Sequence, residues 1–265
     1  MNGVGYGITP FMGASGILAR SSGGGGGGFV NQYSMTFDGN LDYIYAGTSS
    51  LGITGAISVS AWVKIPTTNT GGGGANIQVI TCEDNTSAGQ RNWNLFWRGT
   101  GYNYFVFVIH HTNLTSSSIT STGIVPNDNQ WHHLLGTFDG TTNANGLKLY
   151  VDGTLFQTTA TSTGINSYAP TETTIGALTG GASWRLEGNI DEVAVWNSDQ
   201  SSNASSIYNG GVPTDLTSLS PLSWWRMGDG DTWNGSTWTL TDNGSGGNDA
   251  TSVSMPEAAR TTDVP

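Results

Sequence analysis

From Tyr33 onward apolar and polar residues alternate in short runs separated by turn-forming residues, the pattern of half-buried strands. In Ile57-Ser58-Val59-Ser60-Ala61-Trp62-Val63-Lys64-Ile65, the residues Ile57, Val59, Ala61, Val63 and Ile65 share one face and Trp62 lies on the other. The first face is predicted core. Trp62 is expected to line the other surface or to pack under a loop. Further strands are predicted at 77–82, 93–98, 104–110, 131–138 and 147–151. The last of these enters Asp152-Gly153 ahead of Thr154-Leu155-Phe156, and Asp-Gly between two apolar runs signals a hairpin. After Trp196 the pattern changes. Ser198-Asp199 can cap a short helix through Ser206-Ile207-Tyr208, which Gly210-Gly211 and Pro213 then stop. The expected class is therefore all-β, an antiparallel two-sheet sandwich with one short helix.

Composition narrows this further. The 40 glycines, set among many Ser, Thr and Asn, favour short strands with many turns. With 265 residues, 36% of them hydrophobic, one sandwich core fits without a second large domain. Cys82 has no partner thiol for an intrachain disulfide, so packing must supply the stability. A formal net charge of -11, with eight Lys plus Arg spread along the chain, leaves no basic stripe to displace counterions from nucleic acid or to bind anionic membranes. The opening residues lack the charged and apolar regions of a secretory signal, and no apolar run of spanning length follows, so neither export nor a membrane span is expected.

Residues 1–30 read as an extended, Gly-rich N-terminal arm. The apolar residues Tyr6, Ile8, Phe11, Met12, Ile17 and Leu18 stand apart from one another and lead into Ser21-Ser22 and the glycines at 23–28. Such a segment is either a disordered leader or an assembly arm that orders against a neighbour. Residues 31–221 hold the strand pattern. Residues 222–265 form a C-terminal extension expected to pack on it.

The segments also line up with a family. Ser34-Met35-Thr36-Phe37-Asp38-Gly39 with Asp42-Tyr43, then 57–64, then Trp131-His132-His133-Leu134-Leu135-Gly136-Thr137-Phe138-Asp139-Gly140, resemble a laminin G-like jelly roll of the concanavalin A-like lectin/glucanase superfamily. The resemblance continues through Leu149-Tyr150-Val151-Asp152-Gly153, Ile175-Gly176 and Gly188-Asn189-Ile190-Asp191-Glu192-Val193-Ala194-Val195-Trp196. It implies a jelly roll, a carbohydrate or protein surface as partner, and in many members a calcium ion. Trp225-Arg226-Met227-Gly228-Asp229-Gly230 and 242–251 resemble the strand and turn that open such domains, here placed at the end as if permuted. That ending, with the Gly-rich leader, also resembles laminin G-like structural proteins of marine bacteriophages. It implies a virion-surface protein of capsid decoration or fibre type, docked through its arm on a shell or tail protein and homo-oligomeric in the assembly; the alternative is a carbohydrate-binding adhesin module.

Candidate chemistry is sparse. Superfamily members that hydrolyse glucans carry carboxylates at alternating positions of one strand. No Glu-x-Asp-x-Glu occurs here, and strict alternation would put Asp191 and Glu192 on opposite faces, so no catalytic residues are expected. Asp38, Asp191, Asp242, Asn248 and Asp249 could supply oxygen ligands to calcium if the extension docks beside the first turn; the alternative is that Asp38 and Asp191, like Asp152, bond turn amides. His110-His111 and His132-His133 are adjacent pairs whose members point oppositely on a strand. Among ten tryptophans, Trp93, Trp97, Trp184 and Trp233 lie in or near loop-rich stretches and are the candidates for stacking on sugar rings. Trp62, Trp131 and Trp196 read as core.

Overall fold

A computed structural model describes residues 28–47, 50–69, 76–85, 90–99, 101–111, 115–124, 126–161, 163–166, 172–181 and 183–265. The arm residues Tyr6, Ile8, Phe11, Met12, Ile17 and Leu18 lie outside the described residues. The chain divides into Met1–Val30 and Asn31–Pro265. In the first unit residues 28–30 are described, without regular structure.

The second unit is built of strands. In chain order these are β1 (Ser34–Asp38), β2 (Tyr43–Tyr45), β3 (Ile57–Lys64), β4 (Ile77–Asp84), β5 (Trp93–Arg98) and β6 (Tyr104–His110). There follow β7 (Ser116–Thr120), β8 (Trp131–Phe138), β9 (Leu147–Val151), β10 (Thr154–Thr159), β11 (Glu172–Ile175) and β12 (Glu187–Trp196). The short helix α1 (Ala204–Tyr208) precedes β13 (Ser223–Trp225), β14 (Thr232–Trp233), β15 (Trp238–Leu240), β16 (Ala250–Val253) and β17 (Arg260–Thr261). One antiparallel sheet has the order β10-β9-β8-β3-β12-β1-β17, with β13 also on β12; the other runs β14-β15-β16-β2-β11-β4-β5-β6-β7. The expected two-sheet sandwich is what the chain forms.

Period-2 alternation fills the space between the sheets. Ile57, Val59, Ala61 and Val63 of β3 share one core cluster with Trp93, Leu95 and Trp97 of β5 and Phe105, Phe107 and Ile109 of β6. Strand β4 runs two residues past the expected 77–82, to Asp84. At the β9–β10 hairpin Asp152 and Gly153 both take positive φ, 50° and 72°, the conformation of a tight two-residue turn.

Trp62 turns away from this core and is still buried, 3% exposed. Its ring stacks on Tyr208 of α1 at 5.7 Å and lies 5.0 Å from the His133 ring, so the helix covers this outer face. Asp199 accepts the Ser201 N–H ahead of the helix. The stop comes one residue earlier than expected: Asn209 takes φ 48° and its N–H bonds the Ser205 carbonyl, closing the helix as an αL cap. Trp196 is buried, whereas Trp131 is half-buried and donates its Nε1–H to Asp263.

The C-terminal strands enter both sheets. β13 pairs with β12, β17 with β1 and β16 with β2, and Trp225, Met227, Trp238 and Leu240 join the shared core.

Candidate ligand-binding groove

Strands β5, β6 and β7 carry opposite chemistry on their two faces. Trp93, Leu95 and Trp97 of β5 point into the core, so Asn94, Phe96 and Arg98 point out. On β6 the inward Phe105, Phe107 and Ile109 leave Tyr104, Val106, Val108 and His110 outside. The register then fixes cross-strand rows. Arg98 lies opposite Tyr104; Phe96 opposite Val106, which faces Thr120; and Asn94 opposite Val108, which faces Ser118. These residues line a depression of about 270 Å3, bordered at one side by Arg91 and Trp184 and at the other by Ser116.

Each wall is held from behind. Trp184 sits in the connection between β11 and β12 at φ 56°, a conformation a bulky residue adopts when its surroundings impose it. Its carbonyl accepts the Val79 N–H at 2.8 Å, and its ring lies 6.5 Å from Phe96 and 5.9 Å from the Arg91 guanidinium. Val79, Cys82 and Leu178 form a small apolar cluster beneath Phe96 and Trp184. Cys82 is fully buried there, and burial pushes its thiol pKa up, so it is a packing residue and not a nucleophile.

A chain of polar contacts runs under the same wall. The Nε of Arg91 lies 3.3 Å from Asp84 Oδ1, Asp84 Oδ2 accepts from Asn94 Nδ2 at 2.9 Å, and Asn94 Oδ1 is 2.7 Å from His110 Nε2. Because the Asn94 amide nitrogen is engaged by Asp84, its oxygen accepts the His110 N–H. Burial and the charge on Arg91 push the His110 pKa down to about 4, so the ring is neutral near pH 7. Burial pushes Asp84 up to about 6 against the pull of Asn94 and Arg91.

Arg98 is placed differently. Its guanidinium lies 3.7 Å over the Tyr102 ring, and among the described residues it takes part in no ion pair. None of the lining residues is acidic.

The structure separates the tryptophans expected to meet sugar. Trp184 borders the groove. Trp93 and Trp97 are 0% and 1% exposed, on the inward side of the very strand whose outer side forms the groove floor, so the expectation that they present a ring to ligand is corrected. Trp233 is half-buried and packs 5.5 Å from Trp238 at the far edge of the same sheet. Sequence reading missed Phe96, Arg98, Tyr104 and His110 as a set. Alternation along β5 and β6 carried that signal, but their adjacency depends on register.

The residues considered for calcium fall into three places. Asp242, Asn248 and Asp249 do meet, but Asp242 accepts the N–H groups of Trp224, Gly244 and Asn248 at 2.7–2.8 Å and Asp249 accepts that of Asp242 at 2.9 Å. Asp38 ends β1 and accepts the Asn40 N–H of the turn that follows. Asp191 lies in the interior, bonded to Asn31 at 2.8 Å. Among the described residues no group of three or more His, Cys, Asp or Glu side chains is placed to hold a metal.

Asp191 and Glu192 do not alternate as expected. A bulge between Asp191 and Ala194 puts Glu192 at φ 48°, and both carboxyl groups are buried. Glu192 accepts from Trp224 Nε1 at 2.6 Å and from Arg226 Nε at 3.1 Å, and Arg226 also reaches Asp229 at 3.5 Å. Burial raises the pKa of both, with the neighbouring Glu192 charge adding to the effect on Asp191 and Arg226 opposing it on Glu192. This network joins β12 to the C-terminal extension, away from the groove lining.

The solved structures that share the architecture include the following two. A SAP-like pentraxin from Limulus polyphemus aligns at TM-score 0.52 and 16% identity, over 69% of this chain and 86% of that one. A Bacteroides ovatus protein described as a putative carbohydrate binding protein aligns at TM-score 0.61 and 15% identity, over 88% of this chain; the match spans 61% of that protein's length. At these identities the likeness is one of fold. No curated protein matches the chain. A family model, Laminin_G_3, matches residues 38–204, and with that match over a sandwich of this topology the chain belongs to the concanavalin A-like lectin/glucanases superfamily.

Proposed function

We propose that the chain is a non-catalytic binding module and that the outer face of β5, β6 and β7 takes a carbohydrate. The observation that carries this is the groove itself. It combines the aromatic rings of Trp184, Phe96 and Tyr104 with a row of hydroxyls at Ser116, Ser118 and Thr120. Sugars present apolar C–H faces to aromatic rings and hydroxyls to polar side chains, and this face offers both. A glycosidase needs a pair of carboxyl groups across the scissile bond, and the groove lining supplies none. The Bacteroides ovatus neighbour's description as a carbohydrate binding protein agrees with the reading. Screening the full chain against a glycan array, with Trp184→Ala in parallel, tests it; binding that survives Trp184→Ala unchanged places the site elsewhere.

We infer further that the module is displayed on a virion surface, as a capsid decoration or fibre component attached through its first 30 residues to a shell or tail protein. The Gly-rich segment with its isolated apolar residues supports this. Cryo-microscopy of assembled particles tests it, and density for residues 1–28 detached from every other chain contradicts it.

A further inference from the structure

We propose that the groove prefers saccharides bearing an acidic group, a carboxylate or a sulfate, with Arg98 engaging the anion while Trp184 supports the sugar ring. This rests on the groove reading above and names its ligand class.

The case begins with charge. The chain has 19 acidic and eight basic residues, yet two of its arginines border this one depression and no acidic residue lines it. Elsewhere among the described residues Lys64, Lys148 and Arg226 each face a carboxylate, at 2.8, 3.6 and 3.1 Å; Arg185 and Arg260 make no ion pair but do not line the groove. Arg91 is likewise tied to Asp84, so its charge is partly answered within the fold. Arg98 has no such partner among the described residues. Its Nε is buried without an acceptor, and its guanidinium stacks over the Tyr102 ring. A stacked guanidinium gives up less rotamer freedom than a free one when its planar fork meets the two oxygens of a carboxylate or sulfate.

The remaining lining argues for a saccharide as the carrier of that anion. Phe96, Val106 and Val108 floor the depression, and along β7 the outward Ser116, Ser118 and Thr120 repeat every second residue, about 7 Å apart. His110 is neutral and fixed by Asn94, so near pH 7 it adds no second charge for a polyphosphate.

Isothermal titration of the full chain with three oligosaccharides of equal length tests the proposal: an oligogalacturonate, a sulfated galactan fragment and a neutral galactan fragment. At least one acidic probe is expected to bind about tenfold or more tightly than the neutral one. That margin is expected to fall to about twofold in Arg98→Gln, to persist in part in Arg98→Lys, and to shrink as salt is raised toward 1 M, where the screening length is about 3 Å. Which acidic probe binds identifies the anion. Circular dichroism and thermal unfolding of each variant establish that it is folded. If the neutral probe binds as well as the acidic ones and Trp184→Ala abolishes that binding, the acidic preference is wrong while the groove reading stands. A preference that survives Arg98→Gln also overturns the proposal. If no probe binds at millimolar concentration, the proposal fails, and a glycan array blind to Trp184→Ala then removes the groove reading as well.

Discussion

Gly136 of β8 faces the ring of Phe107 of β6 across the sandwich so closely that a Cβ on Gly136 would lie 2.3 Å from the ring's Cγ. Phe107 is fully buried and cannot swing aside. Gly136→Ala is therefore expected to push the sheets apart locally at a cost of about 3 kcal/mol. For a domain of this size that lowers Tm by roughly 5 °C or more, read by calorimetry. An unchanged Tm contradicts the close approach.

Glu192 combines a left-handed backbone with a buried ion pair, and the two can be separated by substitution. Glu192→Ala removes the carboxylate from Arg226 and Trp224 while keeping a Cβ at φ 48°. Loss of one partner of a buried pair costs about 3 kcal/mol. Glu192→Gly loses the same contacts but relieves the backbone, worth about 1 kcal/mol. The order of stability expected in denaturant titration is wild type, then Glu192→Gly, then Glu192→Ala.

His133 gives a pH dependence with a definite sign. Burial holds its pKa near 4 in the folded chain, while the unfolded chain titrates at 6.5. Between those values the unfolded state binds the proton and the folded state does not, so this residue makes stability fall as pH drops from 6.5 toward 4, by up to about 3 kcal/mol. Asp84 and Asp231, pushed up to about 6 by burial, act in the opposite sense, since the folded state takes up their protons first. Comparing His133→Gln with wild type isolates the histidine: the loss of Tm between pH 7 and pH 4.5 is expected to be smaller in the variant. An equal loss contradicts the assignment.

Much of the sandwich is legible in the sequence because period 2 is a local property. β5, β6, β8 and β9 have the bounds that alternation predicts, and Asp152-Gly153 makes the turn that its residue types demand. The groove is not local. Arg98, Tyr104 and Trp184 become neighbours only through the β5–β6 register and a loop held by Val79. Trp93 and Trp97 show the opposite lesson. Their nearness to loop-rich stretches points to exposure, but Trp93, Leu95 and Trp97 occupy one apolar face of β5, and Asn94, Phe96 and Arg98 occupy the other. The bulge at Glu192 leaves no trace that alternation can read, so alternation places Asp191 and Glu192 on opposite faces when both are interior.

The central claim is that ligand meets the β5–β7 face, and two tryptophans of the same sheet discriminate it from its alternative. Trp184 borders the groove, whereas Trp233 stands at the opposite edge of the sheet on β14. Isothermal titration with the strongest glycan from an array is expected to show a loss of affinity of about tenfold or more in Trp184→Ala, and a change within about twofold in Trp233→Ala. The reverse result, binding intact in Trp184→Ala and lost in Trp233→Ala, would place the site at the other edge and contradict the account.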